Sequence, residues 1–126
     1  MDKNRKFKVL VTDDEEDILV LLKFRLQFSG YEIIQATNGE ETLSKVKTEK
    51  PDILILDYKL PDMDGDKIAR LVKEERNIPI LIFTANINFL KTAQCEAIDD
   101  FILKPFDPED LLGKIGSLLD KYYNKV

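Results

Sequence analysis

The fold of this chain depends most on four aliphatic residues that lead into an aspartate. Ile53 to Leu56 follow one another without a polar break, and Asp57 comes next. Pro-Asp pairs at 51–52 and 61–62 bound the run, and both residue types are typical of turns. A short apolar run between turn residues is typical of a strand covered on both faces. We therefore predict that Ile53–Asp57 is a central strand of a parallel sheet, with Asp57 at its carboxyl end.

Further apolar runs alternate with stretches of helical periodicity along the rest of the chain. The predicted strands are Phe7–Thr12, Tyr31–Ala36, Ile53–Asp57, Ile80–Thr84 and Phe101–Leu103. The predicted helices lie between Asp13 and Gly30, over Glu40–Glu49, Lys67–Glu75 and Asn88–Ala97, and from an N-cap at Asp107 to about Tyr123. Five strands that alternate with five helices predict one α/β domain, a doubly wound parallel sheet with helices on both faces.

Length and composition limit the classes of function. A chain of 126 residues is the size of one domain, and no linker, repeat or shift in composition divides it. The net charge of -5 argues against non-specific binding to nucleic acid or to an anionic membrane. The single cysteine, Cys95, excludes an intrachain disulfide and fits a reducing compartment. The sequence shows neither the apolar stretch of a signal peptide nor a run of membrane-spanning length, so we expect a cytoplasmic protein.

Histidine is absent from the chain. This excludes Ser-His-Asp and Cys-His catalysis, and it excludes a histidine-based zinc site. The chain also cannot carry a phosphohistidine. If it handles phosphoryl groups that come from histidine, that histidine belongs to a partner protein.

Carboxylate, hydroxyl and ammonium side chains lie at the ends of four of the predicted strands. Asp13 and Asp14 follow the first strand, Asp57 ends the third, Thr84 the fourth, and Lys104 follows the fifth. The carboxyl ends of parallel strands lie at one edge of the sheet, so these side chains are predicted to converge. Two like charges about 4 Å apart cost on the order of 4 kcal/mol at an effective dielectric near 20. Mg²⁺ removes that cost and prefers oxygen ligands, so we predict a Mg²⁺ site centred on Asp57.

The same cluster suits phosphoryl transfer. Asp57 as a nucleophile would form an acyl phosphate, and Lys104 and Thr84 would stabilise the charge on the phosphoryl oxygens. Such transfer depends on positioning and electrostatics and requires no general base. Taken singly, each residue has an ordinary structural alternative: a turn or N-cap aspartate, a strand-end threonine, a solvated lysine. Their joint occurrence at four strand ends favours the functional interpretation.

Five short motifs carry a family resemblance. They are Val-Thr-Asp13-Asp14-Glu, Ala36-Thr-Asn-Gly-Glu, Asp57-Tyr-Lys-Leu-Pro61-Asp-Met-Asp-Gly65, Thr84-Ala85 and Asp99-Asp-Phe101-Ile-Leu-Lys104-Pro105-Phe106. In this order and spacing they resemble the receiver domains of two-component response regulators, of the chemotaxis-regulator type, over about Lys6 to Leu119. The resemblance implies a (βα)5 flavodoxin-like fold with strand order 2-1-3-4-5. It also implies a single receiver domain over residues 1–126, with a core of about 6–122 and no output domain in this chain.

The resemblance implies a set of metal ligands around the phosphoacceptor, which is Asp57. Asp14 is the expected direct ligand, Asp13 is expected to hold a metal-bound water, and the backbone carbonyl of Lys59 completes the protein ligands with Asp57. The expected metal is Mg²⁺, with Mn²⁺ as an alternative. The Lys59 side chain either reaches the phosphoryl oxygens or is solvated, and these alternatives are left open.

The resemblance also implies a conformational switch. Thr84 and Lys104 are expected to contact the phosphoryl oxygens, and the Lys104–Pro105 bond is expected to be cis. Phe101 resembles the aromatic residue that turns inward when Thr84 moves, and the alternative for it is plain core packing. The output face would consist of the predicted helix Asn88–Ala97, the fifth strand and the last helix.

The implied function is a signalling switch and not an enzyme that turns over a separate substrate. A sensor histidine kinase or a histidine phosphotransfer protein would donate the phosphoryl group, and autodephosphorylation would remove it. The signal would pass to a downstream protein partner or to an effector domain outside this chain, without direct contact to nucleic acid or membrane. Phosphorylation would promote formation of a dimer.

Two other functions stay open at this point. One is a Mg²⁺-dependent phosphohydrolase on the same fold class. Haloacid-dehalogenase-type phosphatases also use a strand-end aspartate, but they need a second aspartate two positions later, where this chain has Lys59. The other open function is an interaction module that is not phosphorylated.

The chain also departs from the receiver family pattern at three places. Thr12 replaces an aliphatic residue, the segment from Thr84 to Phe101 is shorter than in many members, and Ala97 stands where glycine is common.

Overall fold

The sheet has the predicted topology. The computed structural model describes residues 6–85 and 95–124 of the chain. Its strands are β1 (Lys8–Thr12), β2 (Glu32–Ala36), β3 (Ile53–Asp57), β4 (Ile80–Thr84) and β5 (Asp100–Leu103). All pairings are parallel, and the strand order is 2-1-3-4-5. The α/β class, the central position of β3 and the strand order are therefore confirmed.

The described part of the chain contains four helices. They are α1 (Glu16–Phe28), α2 (Gly39–Glu49), α3 (Gly65–Glu75) and α4 (Pro108–Tyr123). The start of α4 is as predicted, because Asp107 accepts a hydrogen bond from the Glu109 amide and Pro108 occupies the first turn. Helix α1 begins after its predicted acidic start, because Asp13 accepts a hydrogen bond from the amide of Glu15, which is extended. Over the described ranges, no helix is long and apolar enough to cross a membrane.

The predicted helix over 88–97 falls only partly within the structure. Residues 88–94 lie outside the described residues. Its last predicted positions, Cys95 to Ala97, are not helical, so the predicted end of that helix is wrong. The Ile98 amide donates to the Cys95 carbonyl at 3.1 Å, and the Asp99 amide donates to the Ile80 carbonyl at 2.9 Å. This turn and the pairing with β4 direct the chain into β5 and not into a further helical turn.

The sheet separates two apolar cores. Alternate residues of a strand point to opposite faces. On one face the strand side chains pack against α1 and α4, and on the other they pack against α2 and α3. Every residue of β3 and β4 is buried, which explains why these strands lack polar alternation. Burying one Leu or Ile side chain stabilises a fold by about 1.5–3 kcal/mol, so both strands are firm supports for the groups at their ends.

A hydrogen-bonded cluster lies at the edge of the sheet where the strands begin, which we call the amino edge. The Asp99 carboxylate accepts from Lys73 Nζ at 2.9 Å, from the Tyr122 hydroxyl at 2.5 Å and from the Ile80 amide at 2.8 Å. These bonds join α3, α4 and β4 to the segment that leads into β5.

Candidate functional site

Three aspartates converge at the carboxyl edge of the sheet. Asp13 and Asp14 follow β1, and Asp57 ends β3. One carboxylate oxygen from each lies within 4.8 Å of the others. Asp13 and Asp57 are buried, whereas Asp14 is exposed. The structure therefore brings together the three carboxylates that the sequence places at neighbouring strand ends.

Lys104 lies between the two buried aspartates. Its Nζ is 3.0 Å from Asp13 Oδ2 and 3.3 Å from Asp57 Oδ2. The same atom lies 4.6 Å from the centroid of the Phe83 ring, so the ammonium group also rests on an aromatic face. The Lys104–Pro105 peptide bond is cis, the isomer that the resemblance implies.

Burial and charge set the ionisation of this cluster. Burial raises the pKa of the Asp57 carboxyl; Lys104 opposes this change, and the negative charge of Asp13 reinforces it. Burial by itself lowers the pKa of Lys104, but its hydrogen bond to Asp13 and the charge of Asp57 leave that pKa above its ordinary value. The protonated lysine is therefore favoured, and the charged form of Asp57 is less favourable than that of an ordinary aspartate.

Thr84 and Phe101 lie on neighbouring strands with opposite exposure. Thr84 is buried at the end of β4, and its carbonyl accepts a hydrogen bond from the Lys104 amide at 2.8 Å. Phe101 is 44% exposed, and Lys114 Nζ of α4 lies 6.0 Å from the centroid of its ring. In this conformation Phe101 is therefore outside the core, and the alternative of plain core packing does not describe it.

The loop between β3 and α3 closes on itself beside Asp57. The Lys59 amide donates a hydrogen bond to the Asp57 carboxylate, while the Lys59 side chain is exposed, as in the solvated alternative. The Gly65 amide donates to the Tyr58 carbonyl at 2.6 Å. A Cβ at Gly65 would lie 2.9 Å from the Tyr58 Cα, so this closure requires glycine. The loop holds Lys59 at the site through its backbone.

Sequence reasoning missed a tie between this loop and α2. The Asp62 carboxylate accepts hydrogen bonds from the Gly39 amide at 2.7 Å and from the Glu40 amide at 2.9 Å. These bonds lower the pKa of the Asp62 carboxyl. In the sequence both segments show only turn signals, and no local pattern links residues that are 22 or 23 positions apart.

The donor set suits a hard divalent cation. Three carboxylates supply oxygen ligands close to one another, and oxygen is the ligand that Mg²⁺ prefers. The buried carboxylates of Asp13 and Asp57 share Lys104, so added positive charge relieves the repulsion between them. The exposed carboxylate of Asp14 leaves the cluster open to water, and Mg²⁺ usually keeps several water ligands. The residues present therefore fit Mg²⁺.

A model of the response regulator receiver domain matches residues 9–116. The chain belongs to the response regulator receiver family. This receiver domain is 41% identical over 115 residues to the alkaline phosphatase synthesis transcriptional regulatory protein PhoP of Bacillus subtilis (strain 168), covering 89% of this chain and 48% of that protein. It is 37% identical over 126 residues to the probable transcriptional regulator ycf27 of Cyanophora paradoxa, covering 98% of this chain and 52% of that protein. The chain thus spans about half the length of the curated relatives it matches.

Solved receiver structures have the same fold. A two-component response regulator from Clostridium difficile superimposes with a TM-score of 0.87 at 28% identity, covering 95% of this chain and 100% of that one. The response regulator TrrA of Thermotoga maritima, solved in complex with Mg²⁺-BeF, gives a TM-score of 0.83 at 35% identity and covers 90% and 99%. The flavodoxin-like receiver fold is confirmed. Receiver domains are signalling modules that bind Mg²⁺ at an acidic pocket, and the aspartate cluster of this chain is an acidic pocket of that kind.

Proposed function

We propose that this receiver domain is a switch that is phosphorylated on Asp57. The observation that carries the proposal is the environment of this carboxylate. Asp57 is buried at the end of a fully buried strand, 3.3 Å from Lys104 Nζ, with oxygens of Asp13 and Asp14 within 4.8 Å. A rigid strand, a cation and an acidic pocket are what positioning and charge stabilisation of a phosphoryl group require.

The phosphoryl group would move from nitrogen to oxygen. An Asp57 carboxylate oxygen attacks the phosphorus of a partner's phosphohistidine. The O–P bond forms as the P–N bond breaks, and the imidazole nitrogen keeps the bonding electron pair and takes a proton from water. Lys104 Nζ and the Thr84 hydroxyl stabilise the charge on the phosphoryl oxygens. In autodephosphorylation, water attacks the acyl phosphate, restores the Asp57 carboxylate and releases inorganic phosphate.

Asp13, Asp14, Asp57 and the backbone carbonyl of Lys59 are the proposed holders of Mg²⁺, with Mn²⁺ as an alternative. When bound, the ion supplies positive charge that offsets the charge of the carboxylates and phosphoryl oxygens. The chain's own contribution is to hold the ligands. Strands β1 and β3 are directly paired and present two of the aspartates side by side, and the closed loop after β3 holds Lys59.

The proposed output begins at Thr84 and Phe101. When Asp57 carries a phosphoryl group, the Thr84 hydroxyl turns toward it, and the Phe101 ring moves inward from its exposed position. That movement changes the surface of β5 and α4, where Lys114 now lies 6.0 Å from the ring centroid. The segment between β4 and β5 would complete this face. The change is a population shift driven by a local charge.

An apolar groove beside the site supports docking of the phosphodonor. The groove has a volume of about 330 Å³ and lies between α1 and the segment after β5. Its lining includes Ile18, Leu21, Leu22, Ala85, Pro105 and Phe106. Because the donor is a phosphohistidine and this chain has no histidine, the partner is a sensor histidine kinase or a histidine phosphotransfer protein.

The chain would act as one receiver domain with a core of about residues 6–122. Its curated relatives are about twice as long, which supports an effector domain as the recipient of the signal. A separate downstream protein is the alternative recipient. A dimer that forms on phosphorylation would place two output faces together.

Intact-mass measurement tests the site of modification. After incubation with acetyl phosphate and Mg²⁺, wild type should gain one phosphoryl group and Asp57→Asn should gain none. Asp110→Asn, which removes an exposed carboxylate from α4, should be labelled like wild type. Equal labelling of Asp57→Asn and wild type would contradict the proposal. Release of many phosphates per chain from a small phosphoester would support the phosphohydrolase alternative.

A further inference from the structure

The proposed metal ligands belong to two separate segments of the chain. Asp13 and Asp14 follow β1, whereas Asp57 and Lys59 belong to β3 and the loop after it. We propose that Asp62 is a positioning residue that fastens the β3–α3 loop to the N-terminus of α2 and so holds the Lys59 carbonyl in place for the metal. This inference rests on the proposed function, because it concerns the affinity of the same site.

The Asp62 side chain contacts the first turn of α2 directly. One carboxylate oxygen accepts from the Gly39 amide at 2.7 Å, and the other accepts from the Glu40 amide at 2.9 Å. The first amides of a helix have no partner within the helix, and its positive end favours a carboxylate. The lowered pKa of Asp62 agrees with this arrangement. The contact therefore joins two segments that are distant in the sequence.

Helix α2 has its own capping interactions. The Asn38 side chain accepts from the Glu41 amide at 2.8 Å, and the Glu41 carboxylate accepts from the Thr37 amide at 3.1 Å. Asn38 therefore caps the third amide of the helix from within the same segment, and Glu41 ties the preceding residue to the helix start. The bonds to Asp62 cap the first two amides from the β3–α3 loop, so they also hold the loop against the helix.

The loop and the helix also pack closely. A Cβ at Gly39 would lie 2.4 Å from the Cγ of Met63, so any other residue there would displace the Met63 side chain. At the base of the loop, Lys59 and Asp64 form a backbone bridge. Lys59 thus lies in a short closed loop whose tip is held by Asp62 and Met63. Release of the tip would loosen the carbonyl that the proposal assigns to the metal.

On its other side, α2 is fastened to the end of β1. The buried hydroxyls of Thr12 and Thr42 lie 2.8 Å apart, and Thr12 immediately precedes Asp13. Thr42 also donates a hydrogen bond to the Asn38 carbonyl at 2.7 Å. Since α2 contacts both the end of β1 and the β3–α3 loop, it sets the position of the loop relative to the aspartates after β1. Thr12 is therefore part of this connection.

Magnesium binding by calorimetry tests the inference. We expect Asp62→Ala to weaken Mg²⁺ binding about tenfold, the lower end of what loss of an outer-shell partner costs. Asp62→Asn removes the same charge but keeps an oxygen acceptor, so it should lose less affinity. The matched control is Asp64→Asn, which removes a carboxylate from the same loop that makes no cap hydrogen bond. It should bind Mg²⁺ as wild type does.

Amide hydrogen exchange in the metal-free protein provides a second readout. The Gly39 and Glu40 amides should exchange faster in Asp62→Ala than in wild type, and they should be unchanged in Asp64→Asn. If the exchange is faster but Asp62→Ala binds Mg²⁺ as tightly as Asp64→Asn, the positioning role is wrong. Asp14→Ala separates this failure from that of the proposed function. If Asp14→Ala also binds Mg²⁺ normally, the metal site itself is wrong.

Discussion

A lysine and an aspartate are paired at each edge of the sheet, and the two pairs are almost equally buried. At the amino edge, the side chains of Lys73 and Asp99 are 18% and 11% exposed. At the carboxyl edge, those of Lys104 and Asp57 are 16% and 11% exposed. Residue types and burial are the same, so any difference in behaviour comes from the surrounding groups.

The groups that surround the two aspartates differ in charge. Asp99 accepts from Tyr122 and the Ile80 amide in addition to its lysine. Burial and the bond to Asp99 raise the pKa of Tyr122, so the hydroxyl remains a donor. Asp57 instead shares its lysine with a second buried carboxylate, Asp13. The amino edge is a satisfied structural pair, whereas the carboxyl edge keeps excess negative charge, which suits a cation.

Breaking the amino-edge pair should have the largest effect. Asp99→Asn removes the carboxylate that pairs with Lys73 and puts an amide donor among other donors. We expect the free energy of unfolding to fall by about 3 kcal/mol. Urea unfolding measures it. The adjacent Asp100→Asn breaks only a partly exposed pair with Lys114 and should cost at most about 1 kcal/mol. Equal losses at the two positions would mean that the Asp99 cluster does not stabilise the fold.

The second-largest expected effect is stabilisation of the fold by Mg²⁺ bound at the carboxyl edge of the sheet. At a free Mg²⁺ concentration of about 100 times the dissociation constant, the free energy of unfolding should rise by about 2.7 kcal/mol. Thermal unfolding with and without Mg²⁺ measures the increase. Asp14→Ala should lose most of it, and Tyr122→Phe, at the opposite edge, should keep it. An increase that survives Asp14→Ala would place the ion elsewhere.

Tyr122→Phe should have a smaller effect on stability. It removes the hydrogen bonds that the hydroxyl makes with Asp99 and Lys73 but leaves the pair between these two residues. We expect a loss of about 1.5–3 kcal/mol, the contribution of a hydrogen bond to a charged group. The matched control is Tyr123→Phe, whose hydroxyl donates to the neutral Asp52 carbonyl at 2.6 Å and should contribute about 1 kcal/mol. Urea unfolding compares them. A larger loss for Tyr123→Phe would show that the Asp99 cluster has no special strength.

The sheet and its charged edge were predictable because they depend on local patterns and on one geometric rule. Unbroken apolar runs at β3 and β4 have the predicted bounds, since burial on both faces leaves one interpretation. Parallel pairing then brings Asp13, Asp57 and Lys104 to the same edge. The start of α1 was less predictable, because it depends on a hydrogen bond that the Glu15 amide donates to the Asp13 side chain.

The contacts made by Asp62 and Asp99 could not be predicted from the sequence. Each joins segments that are far apart along the chain, and tertiary packing alone decides which donors surround each carboxylate. The exposure of Phe101 was not predictable either, because an aromatic residue on an edge strand can lie inward or outward. The position of the ring depends on packing that exists only in the folded chain.

The smallest predicted effect has the opposite sign and isolates the excess charge at the carboxyl edge. In metal-free protein at neutral pH, Asp57→Asn should raise the free energy of unfolding by about 1 kcal/mol, because it removes a charge whose burial, together with repulsion by Asp13, costs more than its attraction to Lys104 returns. The pKa of Asp57 is raised in the folded state. The stability that protonated Asp57 provides is therefore complete below the ordinary aspartate pKa and is lost as the pH rises through the raised value. The advantage of Asp57→Asn should consequently disappear in acid. Urea unfolding in EDTA at both pH values measures it, and a destabilised variant at neutral pH would show that attraction to Lys104 outweighs the cost of burying the Asp57 charge beside Asp13.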